Sequence, residues 1–227
     1  MRKQTYAVLG ILVLLASVAS VAVAQQAEPK QELPAGWTVR VDRANAAAAE
    51  VKFWNMAPGW HATTGPAAIL YNPANAALGE YRLESESFLF PGEHAEGFGV
   101  FFGGKDLALP AQSYVYFLIR KDGQFIVKAR EGAATRTLIP WTAHAAIVPH
   151  DGSKETAKNV LAVQVGKENV DFFVNGQQVG SLPRAQLSTD GIVGLRINHH
   201  LNVHVTTLTV ESAAGKQEFA PKRPAKP

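Results

Sequence analysis

Apolar side chains recur at every second position through much of the closing part of the chain, as they do in a β-strand that is buried on one face. The pattern covers Leu161 to Val165, Val170 to Val174 and Ile192 to Ile197. Between the second and third runs, Asn175-Gly176 supplies the two left-handed residues of a type I′ hairpin turn. Many short strands with turn-rich connections predict an all-β fold of two packed antiparallel sheets.

A second hairpin is predicted at Ser113 to Arg130, around Lys121-Asp122-Gly123. A three-residue loop with Gly123 in the left-handed conformation pairs Ile119 with Phe125 and makes one face wholly apolar. The other face then carries Tyr114, Tyr116, Leu118, Arg120, Gln124, Ile126, Lys128 and Arg130. We expect this mixed face to meet a polar ligand.

The N-terminus has the pattern of a secretory signal peptide over residues 1–24, with two basic residues, an apolar block and a small-residue end. The mature chain is expected to begin at Gln25, in the periplasm or outside a bacterial cell, without stable membrane insertion. The chain has no cysteine, which excludes disulfides and thiolate metal sites.

The rest of the chain is interpreted as one domain. We expect a flexible segment at 25–36, the sandwich at 37–211 and a disordered basic, proline-rich tail at 212–227. Loss of Arg2 and Lys3 leaves 20 of the 22 basic residues against 19 acidic ones, so nucleic acid is not an expected partner.

Several motifs resemble those of the concanavalin A-like lectin and glucanase superfamily, whose general form is the laminin G-like jelly roll. They are Trp141 ahead of a strand, Asn159-Val160-Leu161 leading into Phe172-Phe173-Val174-Asn175-Gly176, and Gly191-Ile192-Val193-Gly194-Leu195 before the final strand. Within the superfamily the chain is most similar to the secreted 3-keto-disaccharide hydrolase family. The resemblance implies a jelly roll that binds a saccharide or cleaves a glycoside.

Aromatic residues beside polar ones favour carbohydrate as the ligand, because sugar C–H faces stack on aromatic rings while their hydroxyls bond to planar polar groups. The candidate contacts are Trp60, His61, Tyr116, Arg120, Trp141, Arg196, Asn198 and His200. Trp60-His61 is the preferred loop contact, because the following residues are rich in glycine, threonine and proline.

Glu84 and Glu86 are the candidate catalytic pair of a glycoside hydrolase. Residues two apart on a strand share a face, and two carboxyl groups on one face can flank a glycosidic bond. An exposed strand face neutralised by Arg82 is the alternative interpretation. A laminin G-like module that binds a protein partner is a third hypothesis for the whole chain.

The sequence assigns no metal site. His200 and His204 would share a strand face but lie roughly 13 Å apart along it, too far for one ion on a straight strand. The superfamily resemblance leaves a structural calcium ion open, with Asp106, Asp151 and Asp190 as loop carboxylates. No other cofactor is expected.

Overall fold

A computed structural model describes residues 31–43 and 45–223, so the predicted signal peptide lies outside the described residues. Within them, short 3-10 turns occur at Ala48–Glu50 and Arg184–Gln186, and the remaining regular structure is β-strand. The strands are β1 (Thr38–Val41), β2 (Lys52–Asn55), β3 (Trp60–Thr63), β4 (Ala68–Ala77), β5 (Tyr81–Leu89), β6 (Phe98–Lys105), β7 (Ser113–Arg120), β8 (Gln124–Glu131), β9 (Ala134–Ala143), β10 (Ala157–Val165), β11 (Asn169–Val174), β12 (Gln177–Pro183), β13 (Gly191–Ile197), β14 (Asn202–Ser212) and β15 (Gly215–Glu218).

The strands form two antiparallel sheets. The first sheet has the order β1-β4-β13-β6-β7-β8-β9, and the second has the order β12-β11-β10-β5-β14-β3-β2 with β15 beside β14. The core lies between them, where Phe172 of the second sheet is fully buried with its ring 5.2 Å from that of Phe117 in the first. The predicted two-sheet antiparallel sandwich is confirmed.

Both predicted hairpin registers are confirmed. Ile119 pairs with Phe125 across the 121–123 loop, where Gly123 has a φ of 79°. Val163 pairs with Phe172 in the later hairpin. Asn175 and Gly176 have φ angles of 49° and 80°, the two positive values that a type I′ turn requires.

The C-terminal segment differs from the expected disordered tail. Residues 215–218 form β15 on β14, the Phe219 amide donates to the Leu208 carbonyl at 3.0 Å, and Phe219 packs against the core. The Gly59 amide then donates to the Pro221 carbonyl at 2.8 Å. Proline prevents a strand after residue 220 but leaves carbonyl oxygens free to accept hydrogen bonds, so the described tail is anchored through residue 221.

One end of the sandwich gathers the turns that follow β5, β7, β9 and β13. These turns cover residues 90–97, 121–123, 144–156 and 198–201, and we call this end the rim. No helix among residues 31–43 and 45–223 is long and apolar enough to cross a membrane.

Candidate functional site

The outer face of the first sheet, turned away from the core, carries a second hydrophobic cluster. Its buried members are Ile69, Tyr71, Phe101, Leu107, Tyr114, Tyr116, Leu118 and Ile126, with Trp141 and Ile192 packed against it. Of the mixed β7–β8 face predicted from the sequence, the buried side chains are Tyr114, Tyr116, Leu118, Ile126 and Arg130, and the half-buried ones are Arg120, Gln124 and Lys128. Leu107, in the turn after β6, belongs to this cluster and is only 3% exposed.

Arg196 lies on this face and is 4% exposed. Its Nη2 donates to the Asp42 carboxylate at 2.6 Å, its Nη1 donates to the same carboxylate and, at 3.2 Å, to the Tyr114 hydroxyl, and its Nε donates to Asn198 Oδ1 at 3.1 Å. The guanidinium also lies 5.3 Å from the centre of the Tyr116 ring. All three guanidinium nitrogens therefore donate hydrogen bonds within the protein, so the main role of Arg196 is to hold the neighbouring side chains in place.

The charges of this cluster shift the pKa values of its members. Burial would raise the pKa of Asp42, but hydrogen bonding and charge from Arg196 outweigh it, with a further contribution from Arg130, so the pKa is lowered. Burial raises the pKa of Tyr116 to about 12 despite the opposing charge of Arg196. Asp42 therefore stays ionised and Tyr116 stays neutral at ordinary pH.

Trp141 and Arg120 form a more open platform on the same face, nearer the rim. The Arg120 guanidinium lies 4.4 Å from the centre of the indole, and both side chains are half-buried. Arg120 Nε donates to Asp122 Oδ1 at 2.8 Å, and Gln124 Nε2 donates to Asp122 Oδ2 at 3.0 Å. Asp122 thereby fixes the arginine over the indole and holds an amide beside it.

The backbone between β5 and β6 explains how the indole packs so close to the sheet. A Cβ at Gly97 would lie 3.0 Å from Trp141 Cη2 and 3.0 Å from a Leu118 methyl, so a larger residue would displace the ring. The Gly97 carbonyl accepts from the Asn198 amide at 2.9 Å. Asn198, Gly97 and Trp141 therefore form a continuous row across the end of the sheet.

The structure places Trp60 and His61 elsewhere, in β3 of the second sheet. Trp60 is 1% exposed and packs edge-on against Trp37 in the core, with ring centroids 4.7 Å apart. The expected loop contact at Trp60 is therefore wrong, because the segment is a strand whose alternate side chains face inward. His61 points to the opposite side, where its Nε2 donates to Asn202 Oδ1 at 2.5 Å and burial lowers its pKa.

Glu84 and Glu86 lie on the outer face of the second sheet, on β5, and each has a charged partner. Arg82 Nη2 is 3.0 Å from Glu84 Oε2, while Lys158 Nζ is 2.5 Å from Glu86 Oε2 and Thr206 donates to Glu86 Oε1 at 2.7 Å. Burial would raise the pKa of Glu86, but the bonds from Lys158 and Thr206 lower it. The pair is thus separated from the Trp141 platform by the thickness of the sandwich.

A groove of about 300 Å³ also opens on this second sheet, between β14 and the C-terminal segment. Its walls include Glu84, Thr207, Glu218 and Lys222. Glu218 and Lys222 pair with each other at 2.7 Å and are exposed, so the groove presents mixed surface charge and no buried polar group aimed at a ligand.

His200 lies in the rim turn after β13 with a φ of 54°, and its ring stacks on that of His94 at 4.7 Å. Both rings border a small cavity that also contacts Lys121 and His150. Among the described residues no three histidine or carboxylate side chains converge on a metal position. Two of the three loop aspartates considered for calcium are engaged, since Asp151 accepts from Ser153 and Asp190 from the Gly79 amide.

Comparison with known proteins identifies the fold. No protein-family model and no curated protein matches the sequence, but solved structures do. The carbohydrate-binding module CBM66 from Bacillus subtilis superimposes with a TM-score of 0.59 at 14% identity, over 78% of this chain and 96% of its own. The protein has a concanavalin A-like jelly-roll fold.

Two further structures show how widely this fold is used. An endo-β-1,3-glucanase from Pyrococcus furiosus has a TM-score of 0.53 at 8% identity, over 82% of this chain and 89% of its own. A Bacillus subtilis protein of unknown function with a galectin-like fold has a TM-score of 0.53 at 12% identity, over 77% and 88%. The resemblance to 3-keto-disaccharide hydrolases stays a prediction.

Of the eight predicted contacts, five share the outer face of the first sheet: Tyr116, Arg120, Trp141, Arg196 and Asn198. Asp42, which anchors Arg196 across 154 positions of the chain, was not predicted from the sequence. Asp122 was not predicted as the residue that orients Arg120, although the pair is only two residues apart in a predicted turn.

Proposed function

We propose that the protein binds a saccharide on the outer face of the first sheet, at its rim end, with a sugar ring against Trp141. The observation that carries this proposal is the half-buried indole held beneath the Arg120 guanidinium at 4.4 Å. Trp37, Trp54 and Trp60 are each at least nine-tenths buried, whereas Trp141 is half-buried. An accessible, rigidly held indole is the kind of surface on which a sugar C–H face stacks.

Polar groups surround the indole at positions suited to hydroxyls. Arg120 uses only Nε for Asp122, so both of its Nη groups are without a hydrogen-bond partner in the described part of the chain. Gln124 and Asn198 place amide groups on the same end of the sheet. A platform with an apolar ring and planar polar neighbours matches the two kinds of surface that a saccharide presents.

Hydrolysis at Glu84 and Glu86 receives less support from the geometry. A general acid has to hold a proton near neutral pH, which requires a raised pKa. The pKa of Glu86 is lowered, and Glu84 is paired with Arg82. We therefore assign binding, rather than turnover, as the activity of the chain.

The test is affinity measured by calorimetry against a panel of neutral and acidic polysaccharides. Trp141→Ala is expected to weaken binding at least tenfold, because central aromatic contacts contribute more than about 1.4 kcal/mol each. Phe173→Ala is the matched control, since Arg82 lies 5.2 Å from the Phe173 ring on the opposite sheet. Equal losses in both variants, or none in either, would refute the proposed platform, and new products in the incubated panel would restore the hydrolase hypothesis.

We propose further that the protein acts in the periplasm or outside the cell, because the N-terminal pattern is that of an exported chain. Mass spectrometry of the exported protein should give a chain that begins at Gln25. Recovery only of the uncleaved chain in the cytoplasm would contradict this location.

A further inference from the structure

A small cavity in the rim brings three histidines and a lysine together. Its volume is about 40 Å³, and its lining consists of His94, Lys121, His150 and His200 together with Leu89, Phe90, Pro91, Gly92, Leu201 and Asn202. A water molecule needs about 10–15 Å³ of such space, so the cavity has room for a small polyatomic group but not for a sugar ring.

His150 contributes a buried donor with nothing to receive it. The Gly152 amide donates to His150 Nδ1 at 3.0 Å, so that nitrogen is an acceptor and the ring proton of the neutral imidazole is on Nε2. His150 Nε2 is buried and has no hydrogen-bond partner, and the residue is only 8% exposed. A buried N–H without an acceptor is rare in native proteins and indicates a missing partner.

The other side chains of the cavity supply positive charge or further donors. Lys121 Nζ donates to the carbonyls of Gly92 at 2.7 Å and Glu93 at 2.6 Å, which leaves its third N–H unassigned. His94 and His200 add two imidazoles. The lining thus combines an ammonium group, an orphaned N–H and two titratable rings.

The carboxylates of the rim turns lie outside the lining of this cavity, although the charges of Asp151 and His150 interact. Asp122 is held by Arg120 and Gln124, Asp151 is held by Ser153, and Glu96 lies 3.8 Å from His199. Glu93 has an exposed side chain and contributes its backbone carbonyl to Lys121. No carboxylate is among the residues that border the cavity.

The cavity adjoins the proposed saccharide platform. Lys121 directly follows Arg120, which covers Trp141, and the Lys121 carbonyl accepts from the His150 amide at 2.9 Å. His200 is two residues from Asn198 at the end of the same row. Residues next to the platform in the sequence therefore also line the cavity.

We propose that the rim cavity binds an oxyanion group, a carboxylate or a sulfate, carried by the saccharide, so that the protein prefers acidic polysaccharides. This inference rests on the proposed saccharide binding and adds the chemical class of the ligand. An oxyanion oxygen accepts from His150 Nε2 and pairs with the Lys121 ammonium, which completes the hydrogen bonding of the cavity.

The test uses the whole protein and three classes of polysaccharide: carboxylated, sulfated and neutral, including polygalacturonate and its methyl ester. Acidic members are expected to bind at least tenfold more tightly than neutral ones at low salt, with the advantage reduced at high salt. Carboxylated and sulfated members distinguish the two sources of the oxyanion. The methyl ester keeps the sugar rings and removes the charge.

Lys121→Met and His150→Phe should each remove most of the preference for acidic saccharides while leaving neutral binding within about twofold. Lys167→Met is the matched control, because this exposed lysine lies in the turn between β10 and β11 at the opposite end of the sandwich. Melting curves check that the variants are folded. If one of them does not fold, His200→Asn replaces it, because asparagine tolerates the positive φ of this position.

Equal affinity for acidic and neutral members, unchanged in the variants, would overturn the oxyanion site while leaving the Trp141 platform intact. Both proposals are supported if the unsubstituted protein prefers acidic saccharides and Trp141→Ala weakens binding at least tenfold. Absence of binding to every member of the panel would refute the proposed function itself. An independent arm titrates sulfate alone and follows the imidazole signal of His150 by NMR, and no shift of that signal would also overturn the site.

Discussion

At the scale of residues, the outer face of the first sheet is organised around one buried charge. Arg196 is satisfied by the Asp42 carboxylate, the Tyr114 hydroxyl and Asn198, and it covers the Tyr116 ring. A buried guanidinium is tolerated only when its donors are paired, because the desolvation of an unpaired charge costs several kcal/mol. Asp42 therefore determines whether the neighbouring tyrosines keep their positions.

The Asp42 pair predicts a pH dependence of stability. Its folded pKa is lower than the unfolded value of about 3.9, so its contribution is complete above about pH 4 and is lost as the pH falls through the folded pKa. Asp42→Asn should reduce the free energy of unfolding at pH 7 by about 2–3 kcal/mol, since it leaves Arg196 without its charge partner. The variant should also lose less stability than the parent between pH 4 and pH 2.

Urea unfolding across this pH range measures both effects. Glu131→Gln is the control, because Glu131 is exposed and forms no ion pair among the described residues. Parent and Asp42→Asn curves that run parallel below pH 4 would show that the Arg196 pair does not stabilise the fold in this way.

Residue burial was the part of the site that sequence patterns predicted least well. Trp60 and Trp141 both precede a polar residue, yet Trp60 is 1% exposed and Trp141 is half-buried. The difference arises because Trp60 faces the core between the two sheets, whereas Trp141 lies on the outer face of the first sheet. Which side chains of a strand are buried depends on packing partners that are distant in the sequence. The local composition around a tryptophan does not reveal those partners.

At the scale of elements, β15 fastens the C-terminal segment to the second sheet. It pairs with β14 from Thr209–Glu218 to Ser212–Gly215, and Phe219 and Pro221 continue the attachment. The basic composition and the three prolines of this segment predict a solvated tail. The pairing depends on the exposed edge of β14, a partner that the tail composition does not reveal.

Truncation after Ser212 tests this attachment. Removal of β15 and the half-buried Phe219 should lower the free energy of unfolding by about 1–3 kcal/mol, from lost apolar burial and lost strand pairing. Truncation after Arg223, which removes only residues outside the described part, is the matched control and should leave the melting temperature unchanged. Identical melting of the two truncated proteins would show that β15 contributes nothing to stability.

Hairpins, by contrast, were predictable in full register. The two-residue period fixes which side chains share a face, and the loop glycines fix how many residues turn the chain. Both constraints are local, so Ile119 opposite Phe125 and Val163 opposite Phe172 follow from the sequence. Sheet order is set by long-range pairing, and the burial of the outer face by residues such as Leu107 does not follow from the hairpin pattern.

At the scale of the whole molecule, the sandwich keeps two candidate chemistries apart. Glu84 and Glu86 lie on the outer face of the second sheet, while Trp141, Arg120 and Asn198 lie on the outer face of the first. The sequence predicted the fold and several residues of the proposed binding face, but not this separation. Binding and hydrolysis by these residues therefore cannot share one ligand position, which makes the location of a bound saccharide decisive.

The most direct measurement is the proton–nitrogen NMR spectrum of the four tryptophan indoles during titration with the polysaccharide panel. We expect a binding saccharide to shift the signal of Trp141, assigned with a Trp141→Phe variant, and to leave those of Trp37, Trp54 and Trp60 nearly unchanged. A bound saccharide that shifts Trp54, on the outer face of the second sheet, and not Trp141 would contradict it.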